Sequence, residues 1–314
     1  MNIKKIGLTA LAASLVSVSA YAGEMSVAGG ASIGIKNNAG NDGGKSITMG
    51  NQLTFTGGGE LDNGLNVALS FVLDQGDGVT AGTAPFDSHS ITISSDAIGT
   101  IVIAGEGAGN AQSALDTTAA GDIWDNGFKH IVAGSGTETA YVGLVGSDAT
   151  SNKAINYTLP TLLDDLSVSV SYNMGAAGVE SSTAYGVTYT GVEGLSVSYG
   201  AGEAASRTAA LQGDLTSMSL SYAIGSFTAA ISETESDLTT GTDEELSSFK
   251  ISYTVTDDLS ISYGEETHET SGQTVDEEFS QISASYTTGG MTLSAAVQEA
   301  TGLGNNSGVA GQAD

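Results

Sequence analysis

The chain has no cysteine, two prolines, one tryptophan and eight basic residues in a length of 314. Without cysteine no disulfide staples the fold, so its own core, a metal or a sheet closed on itself must hold it together. With so few prolines, nearly every residue keeps its N–H, which suits long hydrogen-bonded strands. The eight bases face 36 acids, for a formal net charge of −28. So acidic a surface excludes nucleic acid as a partner and draws cations and cationic solutes. After residue 22 no apolar run is long enough for a membrane-spanning helix. No Ser-His-Asp, Cys-His or zinc-ligand pattern occurs, and Gly105-Glu-Gly-Ala-Gly109 is followed by no helix, so it is not a phosphate loop. His89, His130 and His268 show no metal spacing and read as surface or loop residues. These absences point away from an enzyme, a resident metal and a cofactor.

What is present begins with a leader. Met1-Asn-Ile-Lys4-Lys5 is basic, Ile6 to Val18 is apolar, and Ala20-Tyr21-Ala22 is small at the expected cleavage point after Ala22. The apolar run falls short of the ~20 residues of a membrane span. Residues 23–314 then form the mature chain, and loss of Lys4 and Lys5 takes its net charge to about −30. The 44 glycines suit turns and close strand approaches.

The clearest order lies at residues 247–264. Phe249, Ile251 and Tyr253 alternate with small polar residues, Asp257-Asp258 make a turn, and Leu259, Ile261 and Tyr263 alternate again. Such alternation marks a strand with one apolar and one wet face, and the turn makes a hairpin. The unit returns along the chain. Tyr157, Tyr189, Tyr222, Tyr253 and Tyr286 stand 32, 33, 31 and 33 residues apart, each shortly before a turn. Leu166, Leu195, Phe227, Leu259 and Met291 open the strands that follow. A fixed period of this size signals a repeated supersecondary unit. Two strands of about ten residues, a tight turn and a longer loop are the unit of a transmembrane β-barrel, and the length fits ~16 strands.

In chain order, strands are expected at 24–36, 45–61, 65–74, 87–96 and 99–106. The alternation stops from Gly107 to Asn152, a long irregular stretch that holds Trp124, with a short strand possible at 139–145. Strands resume at 153–159, 166–174, 183–190, 195–203, 214–224, 227–236, 245–256, 259–268, 277–288 and 291–300. Short turns fall on one side; longer acidic connections, such as Glu233 to Glu245 and Glu265 to Glu278, fall on the other. From Gly302 to Asp314 the sequence reads as loop. Asn51 shares a face with Met49 and Leu53, a costly place for an amide in lipid and an easier one against a subunit.

Residues 151–172, with Lys153-Ala-Ile155-Asn156-Tyr157-Thr-Leu-Pro160, then a turn, then the strand from Leu166 to Tyr172, resemble the Gram-negative general diffusion porins. Ala154 stands where that family has serine. The long stretch at 107–152 resembles the family's inward-folded third loop. The resemblance covers nearly the whole mature chain. It implies an all-β transmembrane antiparallel barrel of about 16 strands with the long third loop folded into the lumen. It also implies a homotrimer in the outer membrane, in contact with lipid and lipopolysaccharide, passing small hydrophilic solutes. Two departures stand out. The family's closing strand ends in an aromatic residue, whereas this pattern has no closing strand, and an open edge cannot sit in lipid. The family also clusters arginines at its constriction, whereas Arg207 is the sole arginine here.

If the apolar face meets lipid, Ser167, Ser169, Ser196, Ser198, Ser260 and Ser262 line a wet lumen, and parity turns Lys250 and Asp74 inward. Glu106, Asp116, Asp122, Asp125 and Glu138 are the acids expected at a constriction, where carboxylates favour cationic or neutral solutes. The five tyrosines named above form an interfacial girdle. The competing reading is a secreted or surface-attached acidic β-rich structural protein, an adhesin for example, with divalent cations bound by its loops.

Overall fold

A computed structural model describes residues 24–39, 44–74, 86–106, 109–125, 129–131, 138–140, 154–175, 180–204, 212–305 and 310–313. The leader at 1–22 lies outside these residues, as do 75–85 of the second loop. The first strands are β1 (Glu24–Ala39), β2 (Gly44–Glu60), β3 (Asn66–Asp74), β4 (Phe86–Ser95) and β5 (Gly99–Glu106). A separate two-stranded piece consists of β6 (Lys129–Ile131) and β7 (Glu138–Ala140). Next come β8 (Ala154–Thr158), β9 (Leu166–Asn173), β10 (Ser182–Val192), β11 (Leu195–Ala204), β12 (Gly213–Ile224) and β13 (Phe227–Leu238). The last are β14 (Glu244–Thr256), β15 (Leu259–Thr270), β16 (Glu277–Thr288), β17 (Met291–Thr301) and β18 (Ala310–Ala313).

The sheet is antiparallel throughout. Its order runs from β1 through β2, β3, β4 and β5 to β8, then stepwise to β18, which returns to β1. The return contact is small: Asn38 faces Ala313 and Ala39 faces Gln312. β18 also pairs with β17, from Gln298–Ala313 to Thr301–Ala310. This strand occupies a stretch that the sequence pattern assigns to loop. Ala-Gly-Gln-Ala is too short and too small to show an apolar alternation, so only backbone pairing reveals it.

Tight turns fix the registers. Ile224 pairs with Phe227 around Gly225-Ser226, and Thr288 pairs with Met291 around Gly289-Gly290. Gly289 and Gly290 have φ of 55° and 81°, the paired left-handed geometry of a two-residue hairpin turn. At the other end the strands outrun the expected boundaries. Glu233, Glu235 and Asp237 lie within β13, and Glu265 and Glu269 within β15, so the connections shrink to 239–243 and 271–276. The physical reason is that pairing continues after the outward residues change from apolar to acidic. The alternation ends there but the hydrogen-bonded ladder does not.

The two faces differ in kind. Ile231, Ile251, Ile261, Ile282 and Leu293 point outward and are 46 to 67 % exposed. Inward positions on the same strands carry Ser232, Ser252, Ser262, Ser283 and Ser294. Several hydroxyls pair across strands, as in Ser262–Ser283 at 2.7 Å and Thr188–Ser198 at 3.0 Å. Large apolar side chains outside and hydroxyls inside invert a soluble sandwich. At ~25 cal/mol per Å² of apolar surface, an outer wall like this is stable only in an apolar medium. No helix among the described residues is long and apolar enough to cross a membrane.

Candidate functional site: an inner segment held on the hydroxyl wall

Residues 109–125 cross the inner face, and six strands support them. Asn156 on β8 donates its side-chain N–H to Gly109 O at 2.8 Å. The N–H of Ala111 reaches Ser171 Oγ on β9 at 2.9 Å, and Gln112 Nε2 reaches Ser217 Oγ on β12 at 2.8 Å. Ala119 N–H donates to Ser232 Oγ on β13 at 2.7 Å, and Ala120 N–H to Ser248 Oγ on β14 at 2.9 Å. On β15, Glu266 accepts from the Thr118 hydroxyl and from Trp124 N–H, the latter at 2.8 Å. The wall serines act here as acceptors for N–H groups that a non-helical, non-strand segment would otherwise bury unpaired.

The segment's own sequence shapes it locally. Asn110 Oδ1 accepts from the N–H groups of Gln112 and Ser113, a side-chain turn that starts the short 3₁₀ helix Ser113–Leu115. Thr118 Oγ1 accepts from Gly121 and Asp122 N–H, while Asp122 Oδ1 accepts from Thr118 N–H at 3.0 Å. This reciprocal knot leads into a second 3₁₀ helix, Ile123–Asp125. The wall makes room by losing side chains. A Cβ on Gly186 would sit 2.6 Å from Ala111 O, and one on Gly264 would sit 2.8 Å from Ala120 Cβ.

An apolar cluster completes the seat. Ala120, Ile123, Phe279 of β16, Ala300 of β17 and Leu303 are buried together, with Trp124 packed against them. Leu303 belongs to the turn after β17, so that turn folds in toward the segment. Phe279 and Leu303 are 1 % and 0 % exposed, and Leu215, Leu238 and Leu246 are further apolar residues buried on the inner face.

The expected site residues divide into three groups. Asp116, Asp122 and Asp125 lie on the inner segment; Asp122 is bound into the local knot, Asp116 is half-buried and Asp125 is exposed. Lys250 shares the inner face of β14 with Ser248, flanked by Ala230 on β13 and Gly264 on β15. The side chains of Asp74, Glu106 and Glu138 lie outside the described structure, although their backbones end β3, end β5 and open β7. Tyr189, Tyr222, Tyr253 and Tyr286 stand outward and exposed at the short-turn end, and Tyr157 is half-buried. Tyr172 on β9, Tyr185 on β10, Tyr199 on β11 and Tyr263 on β15 are further exposed outward tyrosines, with Tyr185–Tyr199 rings 6.3 Å apart.

One reading needs correction and others were missed. His268 is not a surface residue: it is 4 % exposed, with Nδ1 2.8 Å from Glu277 Oε2. Placing it in an acidic loop hid its position, because β15 runs on to Thr270. His89 is exposed, and the side chain of His130 lies outside the described structure. Glu266, Gln112 and the supporting serines escaped sequence reasoning. Glu266 shares inward parity with Ser260 and Ser262, which was its available signal.

An antiparallel sheet that returns to its first strand, apolar outside, hydroxyl-lined inside and crossed by an internal segment, defines a membrane β-barrel protein. The chain belongs to the Gram-negative porin family, whose model matches residues 7–313, and it is therefore a protein of the outer membrane. The surface-attached structural reading is set aside by that membership. No curated protein matches the sequence. Among solved structures, OmpT of Vibrio cholerae, expressed in the outer membrane, aligns with TM-score 0.65 at 14 % identity over 96 % of this chain and 98 % of its own. A refined porin aligns at 0.60 with 18 % identity, over 88 % of this chain and 94 % of its own. An anion-selective porin from Comamonas acidovorans aligns at 0.60 with 14 % identity, over 88 % and 89 %. At these identities the likeness is one of fold.

Proposed function

We propose that the chain forms a sixteen-stranded, water-filled channel that passes small hydrophilic solutes passively, prefers cations and works as a homotrimer. The observation that carries this reading is the segment 109–125, fastened inside the wall by hydrogen bonds to β8, β9, β12, β13, β14 and β15. A segment held there narrows the lumen to an eyelet, and size sieving follows from its fixed distance to the opposite wall. Charge selection follows from what faces that eyelet. Asp116, Asp122 and Asp125 sit on the segment, and Lys250 is the one base whose side chain is described on the wall. In a chain with 36 acids and eight bases, the field in the lumen favours cations. The trimer draws support from a solved trimer form of the Vibrio cholerae OmpT fold and from Asn51, an amide on the outer apolar face of β2. Asp74, Glu106 and Glu138 remain further acids proposed for the lumen. The tyrosines are proposed as an interfacial girdle in contact with outer-membrane lipid and lipopolysaccharide.

The test is conductance of the detergent-purified mature protein in a planar bilayer under a KCl gradient. Steps in threes with a reversal potential on the cation side are the expected result. Steps without cation preference would retain the channel and remove the segment acids as selectors. A folded protein that forms no steps would overturn the channel itself.

A further inference from the structure

We propose that Leu303 is a positioning residue of the eyelet: through it the turn at 302–305 holds the 118–124 end of the inner segment, and Glu277 holds that turn. The inference rests on the channel reading above. The hydrogen bonds already described fasten the segment to β8, β9 and β12 to β15. The apolar cluster carries the seat further round the wall, to β16, β17 and the turn that follows. Phe279 lies opposite Glu266 of β15 on one side and Ala300 of β17 on the other, and Ala120, Ile123 and Leu303 complete the cluster. Ile123 of the segment and Leu303 of the turn are both 0 % exposed. Each is kept from water in part by the element that carries the other, so withdrawing either one wets both.

The turn is built to deliver that side chain. Gly302, Gly304 and Asn305 have φ of 70°, 68° and 55°, left-handed positions that reverse the chain as soon as β17 ends at Thr301. A Cβ on Gly302 would collide with the backbone oxygen of Asp276. Glu277, 3 % exposed at the start of β16, accepts the N–H of Gly304 through Oε1 at 2.6 Å. Its Oε2 lies 2.8 Å from His268 Nδ1 on β15, which orients the carboxylate. Asn305 Nδ2 donates to Val275 O at 3.0 Å. Both bonds tie the turn to the neighbouring hairpin of β15 and β16, so its place does not depend on β17 alone. A buried carboxylate that takes a backbone donor is a strong fastening. Contact therefore runs from Glu277 to Gly304, through the adjoining Leu303 to Ile123, and on to Trp124, the one tryptophan of the chain, which packs against the cluster.

Trp124 makes the seat measurable. Acrylamide quenching of its fluorescence, amide hydrogen exchange and single-channel recording on the same detergent-purified mature protein test the proposal. Leu303→Ala should steepen the quenching and speed exchange at Ala120 and Trp124 about tenfold or more, while Ala111, bonded to Ser171 at the other end of the segment, keeps its wild-type rate. Open-channel noise should rise with these changes. Leu303→Val should give smaller changes of the same kind, and it decides the matter if the alanine variant does not assemble. Glu277→Ala should reproduce Leu303→Ala. Glu277→Gln keeps an acceptor oxygen for the Gly304 N–H and should recover most of the wild-type quenching and exchange. Leu293→Ala is the comparison for general loosening: it removes a leucine, 67 % exposed, from the outer face of β17 and should leave Trp124 quenching at the wild-type level. Wild-type quenching and exchange in the Leu303 variants overturn the proposal. So does an equal rise in Leu293→Ala, or an equal effect of Glu277→Gln and Glu277→Ala. If wild type gives no channel steps, the channel reading fails, and Trp124 still decides whether Leu303 positions the segment.

Discussion

Glu266 and Thr118 are 148 residues apart in the chain, and the Thr118 hydroxyl donates to the Glu266 carboxylate in a fully buried contact. The same carboxylate accepts Trp124 N–H at 2.8 Å, so one side chain of the wall holds both ends of the 118–124 knot. A buried carboxylate is costly to leave short of donors, so loss of either donor weakens this fastening.

Removing that hydroxyl is the sharpest test of the fastening. Thr118→Val leaves Glu266 a donor short and also removes the acceptor for Gly121 and Asp122 N–H. The expected loss is about 1–3 kcal/mol in local stability. It should appear as roughly ten- to hundredfold faster amide exchange at 119–124 and as a noisier, larger unit conductance. Glu266→Gln, which keeps one acceptor oxygen, should lie between Thr118→Val and wild type. Unchanged exchange in Thr118→Val would sink the assignment.

The close approach of wall and segment gives a second prediction. Gly186→Ala places a Cβ 2.6 Å from the backbone oxygen of Ala111 and 3.0 Å from Ser169 Oγ. Backbone cannot yield as a side-chain tip does, so the segment must shift into the lumen. The expected result is a lower unit conductance with a strand content unchanged by circular dichroism. Gly30→Ala is the control, since a Cβ there meets nothing within 4 Å. Equal conductance in the two variants would remove the segment from the narrow point.

Charge at the same level is tested at Lys250. Lys250→Met removes a cation flanked by Ala230 and Gly264, with no bulky neighbour across either strand to take its place. The reversal potential in a KCl gradient should move further toward the cation side, most strongly below ~0.1 M salt where screening is weak. Asp116→Asn and Asp125→Asn should move it the opposite way. If all three leave it unmoved, selection lies elsewhere in the lumen.

Sequence periodicity was a good guide wherever alternation and pairing end together. The hairpin from Phe249 through Asp257-Asp258 to Tyr263 was legible because lipid-facing residues are large and lumen-facing ones small, so the pleat is written in residue size. It failed in three places, each for a physical reason. The upper ends of β13 and β15 face acids outward beyond the apolar layer, so Asp237 and Glu269 fell outside the strands expected at 227–236 and 259–268. The strand Ala310–Ala313 has no large residue to alternate. Ser171, Ser217, Ser232 and Ser248 are indistinguishable in sequence from serines such as Ser260 that merely line the lumen. Their role depends on which backbone N–H groups the segment presents, and that is a tertiary fact.

The outer wall offers a stability test independent of the lumen. Tyr253 faces Phe227 across the strand pair, with ring centroids 4.7 Å apart. Tyr253→Ser should lower unfolding stability in lipid vesicles by about 1–3 kcal/mol, while Tyr253→Phe should cost less than half of that. Equal losses would show that the hydroxyl, and not the ring, is what the position requires.

The extension of β13, β14 and β15 past the apolar layer has an effect on supply. Glu235 faces Glu245, and Glu245 faces Glu269, across neighbouring strands. Partial desolvation, followed by the nearby carboxylates of Glu233, Glu269 and Glu235, holds the Glu245 carboxyl above its ordinary range. These side chains ride on paired backbone, so β13, β14 and β15 together carry a fixed acidic patch on their outward face beyond the apolar residues. Such a patch raises the local concentration of cations beside that part of the wall. Neutralising Glu235, Glu245 and Glu269 together should therefore lower conductance at low salt, and trimming the connection at 239–243 should leave it unaltered.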